Sequence, residues 1–298
     1  MKKIFSASIT PLTETGEIDH PSLEKLLEFD LERGIEGFFF LGSMGEWAVL
    51  DSRRKRDLLT VASGVISGRA EMIAGVASSG IAGIMENIDA FSKLGCDAFA
   101  VQLPGGWARP KDPVKSMFSI ADASQKPVYL YYIPAANGIT LTKEQFCDLF
   151  SHPNIAGVKN SSDSLRTRKE LCELRRTREF RLFEGQEWVV DESLAAGCDG
   201  ALVGMASLGA KLFRHIADAV DSGDLTLAAQ LQRAMLAIFD GVYGPDLSTV
   251  WSGQKYALKY LGIIASARTL VPSEDRELNE KERERIERCL SDFHDYLV

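Results

Sequence analysis

A short motif recurs three times along the chain and limits its fold more than any other feature: Gly34-Ile35-Glu36-Gly37-Phe38-Phe39-Phe40, Gly95-Cys96-Asp97-Ala98-Phe99-Ala100-Val101 and Gly197-Cys198-Asp199-Gly200-Ala201-Leu202-Val203. In each copy the glycine reads as the left-handed residue that ends a helix. The nearly continuous apolar run after it is that of a parallel strand covered on both faces. Helix and strand therefore alternate. The segments between have helical punctuation of their own. Asp19 caps a helix with Pro21 in its first turn, and Leu23, Leu26, Leu27 and Leu31 share one face before Gly34. Thr142 and Gln145 form a capping-box pattern after the strand around Tyr129.

Eight apolar runs, near Ile4, Phe38, Ile73, Phe99, Tyr129, Ala156, Leu182 and Ala201, are spaced as βα units are. They predict an α/β fold of the (β/α)8 TIM barrel type. The alternative, an open doubly wound sheet, lacks a G-x-G-x-x-G after its first strand. Strand signals stop after Leu208, and helices are expected over Leu225–Tyr243, Gly253–Leu261 and Glu277–Leu297, with breaks at Gly244-Pro245 and Val271-Pro272. Residues 1–222 thus read as a barrel domain and residues 223–298 as a C-terminal helical extension.

Charge narrows the function. With 34 basic against 42 acidic residues, a net charge of −8 argues against nucleic acid or an anionic membrane as partner. The run Arg53-Arg54-Lys55-Arg56 then reads as a solvated helix start. No stretch approaches the roughly 18 apolar residues of a membrane span, and the apolar start of the chain, ending at Thr10-Pro11, is too short for a signal peptide. Five scattered cysteines without a C-x-x-C pair suggest neither disulfides nor zinc, and a cytoplasmic location is expected. His20, His152, His215 and His294 lack ligand-like spacing, so no metal site is expected.

Barrel enzymes place their chemistry at the C-terminal ends of the strands. Ile155-Ala156-Gly157-Val158-Lys159 ends a strand on a lysine, and period-two alternation puts Ile155, Gly157 and Lys159 on one face. Burial disfavours the ammonium form of a lysine and so makes an amine nucleophile; a solvent-facing or carboxylate-paired lysine is the plainer reading. One strand earlier, Tyr129, Tyr131 and Ile133 share a face, which puts a phenol beside Lys159 able to relay protons to a carbinolamine. The loop Leu41-Gly42-Ser43-Met44-Gly45-Glu46 offers backbone N–H groups and a hydroxyl, a nest suited to a carboxylate.

Taken together, Gly42-Ser43-Met44-Gly45-Glu46, Tyr131-Tyr132-Ile133-Pro134 with Gly138, and Gly157-Val158-Lys159 resemble the motifs of the dihydrodipicolinate synthase / N-acetylneuraminate lyase family over essentially the whole length. The resemblance implies a barrel with a helical extension, a homotetramer, and no metal or organic cofactor. It also implies Lys159 as Schiff-base lysine and Tyr131 as proton shuttle. Ser43 and the Met44 backbone would hold the carboxylate of a 2-oxo acid such as pyruvate, with Leu202 near the pyruvyl unit. Ala136 stands where the synthases carry a carboxylate-gripping arginine, which argues against dihydrodipicolinate synthesis. Trp107 lies where the family has an aromatic pair after the fourth strand. Met44 replaces the usual threonine. Gln186-Glu187-Trp188 and Gly204 stand where sialic-acid lyases read sugar hydroxyls, with Glu187 as the surviving acid. The expected activity is cleavage or formation of a 2-oxo-3-deoxy sugar acid or related 4-hydroxy-2-oxo acid. The alternatives are a sugar-acid dehydratase, an N-acetylneuraminate lyase and a non-catalytic 2-oxo acid sensor.

Overall fold

A computed structural model describes all 298 residues. Eight parallel strands, β1 (Lys3–Ser6), β2 (Gly37–Phe40), β3 (Glu71–Gly75), β4 (Ala98–Val101), β5 (Val128–Tyr132), β6 (Ile155–Asn160), β7 (Arg181–Glu184) and β8 (Gly200–Val203), pair in sequence order and close through β8 and β1. Each of the expected strands is present. The helix-stop glycines behave as the repeat requires: Gly34, Gly95 and Gly197 have φ of +85°, +76° and +122°. Asp19 caps the helix His20–Glu32 by accepting from the Ser22 N–H, and Thr142 with Gln145 makes the reciprocal capping box.

Side chains divide between two apolar clusters. The larger, of 74 buried residues, lies outside the strands and continues through Ala228, Leu231, Met235, Ile286 and Leu290, so the C-terminal helices share the core of the barrel. The smaller, of 10 residues, fills the barrel axis with Phe5, Phe39, Tyr129, Tyr131, Phe183 and Leu202 among its members. Below it the N-terminal end is plugged by Arg181, whose Nη1 donates to Glu71 Oε2 at 2.6 Å and to the Tyr129 hydroxyl at 2.8 Å. The mouth at the opposite end is where chemistry can occur.

Two expectations need correction. Ile155 does not share a face with Gly157 and Lys159: the β5–β6 register shifts after Val128, so Ile155 joins the outer cluster and Ala156 packs inward instead. The extension helices also differ in extent. The second runs Val250–Tyr260, three residues earlier at its start, and the last is two pieces, Glu280–Asp292 and His294–Leu297. The early start has a non-local cause, because the Glu274 carboxylate accepts from the N–H groups of Val250, Trp251 and Ser252 at 2.8 to 3.0 Å.

One buried acid gives a testable pH dependence. Asp30 is fully buried, and neither carboxyl oxygen makes a hydrogen bond of normal geometry. Burial pushes its carboxyl well up; the nearby Ser6 hydroxyl, itself paired with Ser207 at 2.9 Å, and the Arg33 charge only partly offset this. An acid whose folded pKa is raised binds its proton more tightly when folded, so stability falls as pH rises from the unfolded pKa through the folded one. Asp30→Asn removes that dependence. It is expected to gain on wild type as pH rises, reaching about 1–3 kcal/mol in unfolding free energy. A wild-type-minus-variant difference that stays flat from pH 5 to 8 would contradict this.

Candidate active site

Only two lysines of the chain are buried, and they are built differently. Lys255 is ion-paired with Glu46, both side chains being wholly inaccessible. Lys159, 6% exposed, has no ion pair; its Nζ sits 4.4 Å from the Tyr131 ring centroid and 5.0 Å from that of Phe39. In the β5–β6 ladder Tyr131 is the register partner of Lys159. Behind the lysine stem, Gly185 leaves room that a Cβ would take, at 2.9 Å from Lys159 Cε. A buried amine without an ion pair can act as a nucleophile.

The Tyr131 hydroxyl meets Ser43 Oγ at 3.3 Å, which joins the β5 end to the loop after β2. That loop bends sharply, with Leu41 and Glu46 at φ of +57° and +58°. The N–H groups of Ser43, Met44 and Gly45 have no acceptor within the chain. Three successive unpartnered donors beside a hydroxyl are groups that can hold an anion. Glu46, the last residue of the motif, points away from the mouth: Oε1 takes the Lys255 ammonium, while Oε2 accepts from Thr269 Oγ1 at 2.9 Å and the Leu270 N–H at 2.8 Å.

Of the later positions, Glu187 is the one bonded to the end of β8. Gln186 donates to Asp163 at 2.8 Å and Trp188 packs edge-on against Phe239 at 5.5 Å. The Glu187 Oε1 accepts from the Gly204 and Met205 N–H groups at 2.8 and 3.2 Å. Burial pushes the Glu187 carboxyl up, and its backbone partners and the charge of Lys159 only partly offset this. Met44 closes the same corner: a Cβ on Gly204 would stand 2.6 Å from Met44 Cγ and 3.3 Å from Glu187 Oε1. Leu202 lies in the axial cluster with Tyr131. Ala136 is exposed in the short helix Pro134–Asn137, and Trp107 is wholly exposed on the turn Gly106–Ala108.

The sequence profile of the dihydrodipicolinate synthetase family matches residues 1–292. The chain belongs to that family. Within the dihydrodipicolinate synthetase family, it is 31% identical to the 4-hydroxy-tetrahydrodipicolinate synthase 1 of Streptomyces coelicolor over 274 residues, 91% of this chain and 88% of that one. The corresponding synthase of Limosilactobacillus fermentum is also 31% identical, over 77% of this chain and 74% of its own. The fold matches an N-acetylneuraminate lyase from Fusobacterium nucleatum with a TM-score of 0.89 at 19% identity, covering 100% and 99% of the two chains. It matches a pyruvate-complexed dihydrodipicolinate synthase from Acinetobacter baumannii with a TM-score of 0.87 at 24% identity and 98% coverage of each. The family is one of class I pyruvate-dependent aldolases and lyases.

Proposed function

We propose that this chain is a Schiff-base lyase that cleaves or forms a 2-oxo-3-deoxy sugar acid, or a related 4-hydroxy-2-oxo acid, through a pyruvate enamine. One observation carries the reading: Lys159 is buried without a carboxylate partner against Tyr131, which links it to a loop of free backbone donors. The Lys159 amine attacks C2 of the substrate, and the resulting carbinolamine loses water, with Tyr131 passing the protons, to give an iminium. The substrate carboxylate rests on Ser43 and the Met44 N–H. The C3–C4 bond then breaks as the C4 hydroxyl gives its proton to Tyr131, which gave one up to the departing water. The electron pair of that bond flows into the iminium, leaving an aldehyde and an enamine. Protonation at C3 and hydrolysis release pyruvate and regenerate the amine. Loss of a C3 proton and expulsion of the C4 hydroxyl from the same iminium is the dehydratase alternative.

The pyruvate complex of the Acinetobacter relative supports a 2-oxo acid as ligand. Exposed Ala136, which has no charge to offer a distal carboxylate, supports a sugar-type partner over dihydrodipicolinate synthesis. Five cysteines without a disulfide suit a reducing cytoplasm, and wholly exposed Trp107 suits the homotetramer by packing on a second copy.

A second reading, condensation of pyruvate with a partner bearing its own carboxylate, has one observation in its favour beside the relatives' names. The Arg109 guanidinium reaches the turn after β5 and donates to the Gly138 carbonyl at 3.2 Å, which brings a cation close to Ala136. Pyruvate release from a panel of 2-oxo-3-deoxy sugar acids, set against pyruvate consumption with an aldehyde carrying a carboxylate, separates the readings. Release from the sugar acids, unchanged within about twofold in Arg109→Ala, is expected. Turnover confined to the acidic aldehyde and lost in Arg109→Ala would favour the second.

A further inference from the structure

The helix Val250–Tyr260 reaches over from the extension and grips the carboxylate loop twice on one face. Trp251 Nε1 donates to the Ser43 carbonyl at 3.0 Å. Four residues on, Lys255 pairs with Glu46 and donates to the Arg268 carbonyl at 2.7 Å. The helix itself is held at its N-terminus by the Glu274 carboxylate, so the indole is fixed from behind. A trans peptide sets its C=O and N–H in opposite directions. A Ser43 carbonyl held toward Trp251 therefore turns the Met44 N–H away from Trp251, and that N–H is one of the three without a protein acceptor.

We infer that Trp251 is a positioning residue which fixes the Ser43–Met44 peptide in the orientation that presents the Met44 N–H to the carboxylate of a 2-oxo acid. This rests on the reading of that loop as the carboxylate site. The same carbonyl accepts the Glu46 N–H at 3.1 Å, a bond internal to the loop that travels with it. The indole is the anchor that comes from outside. Without it the peptide is free to rotate about its two flanking dihedrals, and a flipped peptide would offer the carboxylate an oxygen instead of a donor. The residue acts on affinity for the carboxylate and leaves the amine of Lys159 untouched.

The test compares pyruvate with methyl pyruvate, which keeps the ketone and loses the negative charge, by cyanoborohydride trapping across a concentration series. Half-saturation concentrations are read instead of yields, because they do not depend on how much of a variant is folded. In Trp251→Phe the half-saturating pyruvate concentration is expected to rise about tenfold, the scale of one net hydrogen bond to a charged group. That for methyl pyruvate should move less than about twofold on the same reasoning. Trp251→Leu carries the same expectation. A rise of equal size for both compounds, or none for either, would overturn the positioning role. Wild-type protein that traps both compounds at the same half-saturation would overturn the carboxylate-loop reading, and the Trp251 role with it.

Discussion

Lys159→Ala is expected to lose turnover by roughly four or more orders of magnitude, the scale seen when a covalent nucleophile is removed. The expectation follows from how the side chain is held. Its Nζ faces the rings of Tyr131 and Phe39 and is in no ion pair, and Glu187, the buried acid that feels its charge, keeps the Gly204 and Met205 N–H groups when it is gone. Removing it therefore breaks no direct pair, and the thermal midpoint should move little. Truncating Lys255 would do the opposite, because Glu46 would remain buried and unpaired at a cost of about 3–5 kcal/mol. Steady-state rates with thermal melts on both variants check this. A Lys159→Ala enzyme that keeps about a tenth of wild-type turnover would remove the lysine from the mechanism.

Tyr131→Phe is expected to lower kcat by roughly 10²- to 10⁴-fold, the usual contribution of a positioned acid–base group. The phenol ring stays, so its packing on Phe39, edge-on at 5.5 Å, and on Lys159 is kept. Only the hydroxyl that meets Ser43 is lost. The defect should therefore fall on adduct formation and breakdown, with the half-saturating concentration of pyruvate nearly unchanged. Single-turnover trapping measures it directly. A variant within about tenfold of the wild-type kcat would show that protons reach the carbinolamine by another route, such as water.

Much of this architecture is legible in the residues. The eight strands stand out because buried parallel strands are apolar runs, and glycines at positive φ separate them from the preceding helices. Lys159 and Tyr131 follow from strand-end position and alternation, since each contact between neighbouring strands is a matter of register. What escapes is what alternation cannot encode. The register shift after Val128 moves Ile155 to the other face, because one extra residue inverts the pattern locally. The start of the helix at Val250 depends on a carboxylate 24 positions away. The grip on the loop after β2 joins residues 208 and 209 positions apart. Neither Trp251 nor Lys255 has a sequence neighbour that hints at its partner. The signal was present only as Lys255 itself, a cation on the apolar side of a helix, which has to be paired wherever it is buried. Glu187 is intermediate: the family resemblance marks it as a candidate for substrate binding, but its hold on the Gly204 and Met205 N–H groups arises from the close approach of the β7 and β8 ends.

The central claim is that the reactive amine of this barrel is Lys159. The most direct measurement is peptide mass spectrometry of the protein after incubation with pyruvate and cyanoborohydride. A single reduced pyruvyl adduct per chain, on the peptide that carries Lys159, is the predicted result. An adduct on Lys255 or on a surface lysine, or no adduct at saturating pyruvate, would contradict the account.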